Sequence, residues 1–423
     1  MWASREQESV EDNVTTLGEK TRAGARGPFA PKVWPLALGL AVAVVLGVAS
    51  LTASVRAPHP APRNIIENLA PLADRAPEQT MSQAWGSPAI TRIGTALDAA
   101  HRFIFGRAIT PDGVWLVGSI EPRLVFGVTR ETPTAVLWNI HTREITTLHK
   151  MSTIRSQLTG AAANDRWIVW AELQDALRSP DWAIFAWNRA TGQLAEVAHD
   201  PQVDGVALAG SPPSPALQDD TVIWSQPEQV PGEAGYPLVA HTHNLVTQAD
   251  ATLVAHAYLP QLVGQALAWL PDSTAFSAAV SDVGMRRIRG LPGEPSHLAL
   301  HGLSLALCDD KTIRLVNDVS TGAPLAATIS RLTLPRQCGD ISLSARLLAW
   351  EDDPSPVVWD RVLSAMVRLP VSAAGGWRWA SDAALIWSEP EPDAQAKADF
   401  AANRFPADTL AIMTPRSDSI VSP

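Results

Sequence analysis

The stretch Asp165–Ala198, DRWIVWAELQDALRSPDWAIFAWNRATGQLAEVA, holds three apolar, β-branched and aromatic runs separated by polar turns. Ile168–Ala171 is a strand by pattern, Ala183–Asn188 a second and Leu194–Ala198 a third, with Thr191-Gly192 turning the chain between the last two. Short strands bounded by turn residues, with no helical period, describe an all-β unit. Weaker copies recur along most of the chain, and such a unit buries its apolar faces only against its neighbours.

The copies include Ile109–Ser119 with Ala135–His149, Thr221–Gln226 with Pro237–Leu245, and Ala268–Asp282. They continue through Ser304–Gly322, Leu347–Leu369, and Ala384–Pro392 with Asp408–Met413. Taking Gly118, Trp170, Trp224, Ala278, Cys308, Trp350 and Trp387 as equivalent gives spacings of 52, 54, 54, 30, 42 and 37 residues. The mean of about 45 suits a propeller blade of three to four strands. The expected fold is an all-β β-propeller of seven blades, with six as the alternative because of the 30-residue gap. Helix is expected in the N-terminal apolar run and at most in Ala394–Ala402.

That apolar run, residues 33–55, has 23 residues without a charge, enough to cross a hydrocarbon core of about 30 Å. It is too long, and too far from the N-terminus, for an ordinary cleaved signal peptide, so an uncleaved signal anchor is favoured. Lys20, Arg22, Arg26 and Lys32 precede it, which places the N-terminus in the cytoplasm and the remainder outside the cell membrane. The expected organisation is a disordered tail at 1–32, a transmembrane helix at 33–55 and a Pro/Ala-rich stalk at 56–99. The propeller follows at 100–415 and a disordered tail at 416–423. Residues 1–56 carry six basic and five acidic side chains, so the remainder carries −11 within the net −10, which excludes a phosphate-led nucleic-acid surface.

Ile109–Ser119, ITPDGVWLVGS, resembles the Pro-Asp-Gly strand motif of TolB-like and WD40-like (PD40) β-propeller repeats. Pro271-Asp272 in AWLPDSTAFSAA resembles a second copy, and Trp138-Asn139 and Trp187-Asn188 resemble the usual ending of a third strand. The resemblance covers roughly residues 100–413 and implies a binding platform or scaffold; fold does not fix function. The last copy lacks an outermost strand after Met413, and His101–Ala108 is expected to supply it and close the ring.

The repeated polar feature is a carboxylate just beyond each aligned strand: Glu121, Glu172, Glu228, Asp282, Asp309, Glu351 and Glu389. With Asp310, Asp352 and Asp353 these would ring one face, and Glu172, Asp309, Asp310, Glu351, Asp352, Asp353 and Glu389 are the candidate ligand-binding residues. Such a face suits a basic peptide or calcium, whereas solvated turn residues are the plainer reading. No other cofactor is expected. His241 and His243 share one side of a strand and, with His256, have metal-ligand spacing, although exposed histidine pairs are commonly structural. Sixteen Trp could stack on a sugar or simply fill the core. Cys308 and Cys338 are the only cysteines; export permits a disulfide between them, and two buried thiols are the alternative. There is no nucleophile elbow, zinc-protease helix, phosphate loop, dinucleotide fingerprint or Cys-x-x-Cys. The functional expectation is a membrane-anchored platform for an unidentified protein, basic peptide or sugar. A tethered hydrolase or lyase acting on envelope sugar or peptide, and a sensory ectodomain, are the alternatives.

Overall fold

In the computed structural model, seven antiparallel sheets succeed one another along the chain. The first holds Arg102–Ile109, Trp115–Pro122, Thr134–Asn139 and Ile145–Lys150. The second holds Gln157–Ala163, Trp167–Leu173, Trp182–Asn188 and Leu194–His199. The third holds Ala216–Gln218, Thr221–Pro227, Leu238–Asn244 and Asp250–Ala255. The fourth holds Tyr258–Val263, Ala266–Leu270, Ala278–Asp282 and Arg287–Leu291. The fifth holds His297–His301, Ser304–Asp309, Thr312–Val316 and Ile329–Thr333. The sixth holds Ile341–Leu343, Leu347–Trp350, Val357–Asp360 and Ala365–Arg368. The seventh combines Arg378–Ala380, Leu385–Glu389 and Thr409–Met413 with Ile90–Gly94.

The first strand of each sheet packs against the first strand of the next, and that of the seventh meets that of the first. This cycle makes the fold a seven-bladed β-propeller with the first strands innermost. All described residues lie in one unit, Pro60–Pro423. Residues 1–62, 67–77, 87, 98–101, 123–130, 176–180, 204–205, 209–211, 265, 272–277, 283–286, 292–294, 320–328, 335–337, 351–356, 371–377, 390–408 and 415–423 lie outside the described residues. The expected cytoplasmic tail, transmembrane helix, C-terminal tail and Ala394–Ala402 helix therefore fall outside them. Among the described residues no helix is long and apolar enough to cross a membrane.

The core is divided into seven clusters, one for each pair of neighbouring blades. The second strands explain why. Every residue of Trp167–Leu173 is buried, because successive side chains point to opposite faces and both faces meet a neighbouring blade. Trp170 enters the cluster shared by blades 1 and 2, and Val169 the one shared by blades 2 and 3. Ten of the thirteen described Trp are buried, so the surplus of Trp is mainly core filling.

Four blades end their third strand in the same way. Asn139, Asn188, Asn244 and Asp360 each accept two backbone N–H groups, from the residues two and three positions on, through one side-chain oxygen. The residue four positions on has positive φ in every case: Arg143 at 66°, Gly192 at 69°, Gln248 at 57° and Ser364 at 49°. Only blade 2 places glycine there. The Trp-Asn pairs noted in the sequence do end third strands, at Asn139 and Asn188.

Three expectations are corrected. Ala278 opens a third strand, and the counterpart of Trp170 in blade 4 is Trp269. With Trp269 in place the spacings around it become 45 and 39, and the anomalous gap vanishes. Likewise Pro111 precedes a second strand whereas Pro271 follows one, so the two Pro-Asp pairs are not equivalent. His101–Ala108 does not close the ring: Arg102–Ile109 is the innermost strand of blade 1, and Ile90–Gly94 pairs antiparallel with Thr409–Met413 to complete blade 7.

Parts of the expected stalk are also incorporated into the propeller. Arg63–Ile66 adds a parallel strand to the outer edge of blade 4, and Glu78–Thr80 does the same for blade 6. Extended chain can satisfy an open sheet edge, which is why a proline-rich segment suits this position. A five-residue helix, Met81–Trp85, follows, capped by Thr80 and Gln83. It seats Trp85 in the cluster between blades 6 and 7.

Candidate functional site

Of the described carboxylates, Glu121, Glu172, Glu228, Asp309 and Glu389 lie in or just beyond second strands at one end of the blades, whereas Asp282 ends a third strand beside Ala266 at the other end; most of those at the first end are occupied within the fold. Glu172 is fully buried and accepts the indole N–H of Trp170 at 2.7 Å, with His149 Nδ1 at 2.8 Å. Glu389 is 8% exposed, takes the Trp387 indole N–H at 3.2 Å and receives two hydrogen bonds from Arg92, at 2.8 and 3.1 Å. Gln226 takes the indole of Trp224 at 2.9 Å. Residues i and i+2 share a strand face, so Trp-x-Glu or Trp-x-Gln places the acceptor beside the indole. Trp350 and Asp352 have the same spacing, with Asp352 outside the described residues.

Asp309 pairs with Arg314 on the adjoining strand, and Glu121 accepts the hydroxyl of Ser119 at 2.7 Å. Asp310 occupies the hairpin turn with φ of 48°, and its carbonyl accepts the N–H of Cys338 at 2.7 Å. Cys308 and Cys338 form a disulfide with their Cα atoms 6.1 Å apart. It ties the second strand of blade 5 to the crossover leading to blade 6. Glu351, Asp352 and Asp353 lie outside the described residues, and Asp282 is described only as part of a strand. Glu172 and Glu389 are therefore acceptors inside the blades and not an exposed cation-binding surface.

The histidines do not converge either. His241 lies 2.9 Å from Glu228, His243 2.8 Å from Asp250 and His256 2.8 Å from Glu233, each beside its own carboxylate. Among the described residues no group of three or more His, Cys, Asp or Glu is placed to hold a metal ion. Burial pushes the His241 imidazole below its ordinary value of 6.5, with the charge of Glu228 partly opposing it. A depressed histidine leaves folding stability complete above about pH 6.5, and stability falls as the pH drops towards the folded-state value. His241→Gln is expected to flatten this part of the profile. Melting temperatures of parent and variant between about pH 7.5 and 5 test it, and parallel curves would refute it.

The site the structure does build is the central channel. It has a volume of about 490 Å³, is lined by the inner strands of all seven blades, and falls in the range of small-ligand sites. Three of its ionisable side chains lie at the mouth formed by the starts of those strands. His297 and Arg378 are the first residues of their strands, and Asp340 immediately precedes another. His297 Nε2 lies 3.1 Å from Asp340 Oδ1, while its Nδ1 lies 2.8 Å from the Ser296 hydroxyl. That hydrogen bond holds the Asp340 carboxyl below its ordinary value; burial opposes it, and the charges of His297 and Arg107 add to it.

Arg107 owes its position to a bulge. Gly106 pairs with Gly118 and Ala108 with Val117, leaving Arg107 as the extra residue in its strand. Its Nε donates to the carbonyl of Leu158 in blade 2 at 2.9 Å, and its guanidinium lies 4.5 Å from the Phe105 ring centroid. Inner strands of blades 2 and 4 also shift register, at Leu158/Gly160 and Tyr258/Gln261, and Leu259 there has φ of 49°. Arg378 is 2% exposed and donates to the carbonyl of Trp350 at 2.6 Å.

No family model matches the chain, and no curated protein sequence matches it. Solved structures with a similar fold include an oligogalacturonate lyase in complex with manganese. It has 13% identity and a TM-score of 0.40, with 76% of this chain and 80% of that one covered. TolB from Acinetobacter baumannii has 10% identity and a TM-score of 0.39 over 72% of this chain and 65% of that one. The AfRom2 CNH domain has 8% identity and a TM-score of 0.44 over 76% and 98%. The shared feature is the propeller.

Proposed function

We propose that this chain is a membrane-anchored, extracytoplasmic propeller that acts as a binding platform, with the face around the polar channel mouth as its binding surface. The carrying observation is the 490 Å³ channel, which has His297, Asp340 and Arg378 at one end and bulged inner strands in its wall. Bulges commonly re-aim side chains at functional sites. The uncharged run 33–55, preceded by basic residues, supports the anchor and its orientation. A hydrolase using two carboxylates fits less well, because Asp340 is the single carboxylate among the described channel-lining residues.

Two experiments test this reading. Protease added to intact cells should cleave the chain beyond residue 56 and spare a tag placed before residue 32; the reverse pattern refutes the orientation. The full chain in detergent, melted with small acids, neutral sugars, basic peptides or calcium, should gain stability from one of these classes, since a ligand selective for the folded state raises the melting point. A flat panel overturns a small-ligand site in the channel and leaves the face as a protein-docking surface.

A further inference from the structure

We propose that the face opposite the channel mouth lies flat against the lipid surface, touching it through hairpin tips that carry exposed aliphatic side chains. This rests on the membrane-anchor reading above and adds the orientation and the lipid contact.

The point where the chain enters the propeller is the first argument. Arg63–Ile66 runs parallel to Arg287–Leu291, the fourth strand of blade 4, with Arg63 opposite Arg287 and Ile66 opposite Gly290. Strands alternate in direction within a blade, so fourth strands start at the end remote from the channel mouth. The chain therefore joins blade 4 from that end. Residues 56–62 alone separate the uncharged run 33–55 from Arg63. In any conformation they reach less than about 30 Å. A blade strand of seven residues such as Trp167–Leu173 rises about 23 Å. With the channel mouth turned to the membrane, climbing the blade would use most of that reach. With the opposite face turned to it, the climb disappears.

The chemistry of that face is the second argument. Ile145 and Leu194 begin the fourth strands of blades 1 and 2. Val246, Val362 and Leu363 sit in the turns between third and fourth strands of blades 3 and 6, and Leu303 in the turn between first and second strands of blade 5. All six are at the end remote from the mouth and exposed, Val246 to 51% and Val362 to 62%. Among the described residues they are six of the ten large exposed hydrophobics; the mouth end has Ile154 and Val203 besides two tyrosines. The tips of blades 5 and 6 adjoin, since Arg361, next to Val362, donates to the hydroxyl of Ser304, next to Leu303. Tips spread over five blades meet one plane together only when the disc lies flat on it, which separates this contact from an edge-on one at blade 4. Scattered aliphatic tips bind lipid weakly by themselves; a short covalent anchor makes the contact intramolecular, so weak contacts suffice. Arg166 and Arg189 at this end pair with Asp220 and Asp112, so the contact is apolar in character.

The test puts a nitrobenzoxadiazole label on the full chain in neutral phosphatidylcholine liposomes, through Leu303→Cys, Val362→Cys, Tyr236→Cys or Val45→Cys, one at a time. The disulfide leaves no competing thiol, and the three propeller positions are exposed, so the core is undisturbed. Lipids carrying a nitroxide in the headgroup or in the acyl chain quench labels near them. We expect the chain nitroxide to quench position 45 and the headgroup nitroxide to quench positions 303 and 362, with position 236 unaffected. High salt should change none of this, because screening weakens only charge-led contacts. Quenching at 45 with 303 and 362 silent, or with 236 quenched, overturns the orientation and leaves the anchor standing. Loss of quenching at 303 and 362 in high salt overturns the apolar contact. A silent label at position 45 overturns the anchor and this proposal together.

Discussion

Replacing Trp85 with alanine is expected to destabilise the propeller by about 3–5 kcal/mol, the range for a buried Trp or Phe truncated in a packed core. Trp85 comes from a five-residue helix outside the blades but is 8% exposed, packed with Leu347, Val367, Leu385 and Met413. Its indole donates to Asp360 Oδ2 at 2.8 Å. Asp360 is fully buried and also accepts from Arg346 at 2.9 Å and from the N–H groups of Val362 and Leu363 at 3.0 Å. The truncation therefore opens a cavity and withdraws a donor from a buried carboxylate. Trp85→Phe keeps most of the apolar body and isolates the second effect, at about 1–3 kcal/mol. Urea unfolding of the three proteins measures both. A loss below about 1 kcal/mol for the alanine variant would mean that the helix is not part of the cooperative fold.

The second large effect is the disulfide. Cys308 and Cys338 are separated by 30 residues, a loop for which the chain-entropy account gives about 3–4 kcal/mol. The double variant Cys308→Ala/Cys338→Ala is expected to lose stability on that scale. The parent protein should lose a similar amount after reduction, whereas the double variant should not respond to reductant. An equal response from parent and variant would refute the bridge. Reduction should act first at the contact between blades 5 and 6, where the cluster containing Cys308 and Cys338 also holds Leu343, Trp350 and Trp359.

Much of the architecture was legible because second and third strands are rich in Trp, Val and Ile and end in polar turns. All three strands read from Asp165–Ala198 are present, within two residues at each end. Apart from Arg102–Ile109, the inner strands were not legible. Seven of them crowd around the axis, and segments such as Gln157–Ala163, Ala216–Gln218 and Arg378–Ala380 are short or made of small residues. They carry little β signal, and they and the residues just before them bring His297, Asp340 and Arg378 to the channel. An arginine between Gly106 and Ala108 offers no hint in sequence of the bulge that turns it out of register. The acidic residues misled for a different reason. Spacing between carboxylates does not reveal the Trp two residues before Glu172 and Glu389, which supplies the hydrogen-bond donor. The closing strand was misassigned because HRFIFGRA is more apolar than ITRIG. An outermost strand has one face on the blade interface and needs fewer apolar residues: only Ile93 in Ile90–Gly94 is buried.

Blade 7 draws one strand from residues 90–94 and its last from residues 409–413. During synthesis the first of these emerges with its hydrogen-bonding edge exposed and waits for almost the whole remaining chain before its partner exists. Non-local pairing of this kind slows folding and prolongs the life of an unpaired edge. A chain that stops before residue 409 would strand Ile90–Gly94 and open the whole ring. Quality control of such a protein thus turns on residues 409–413: a chain either reaches them or is left with a sticky seam.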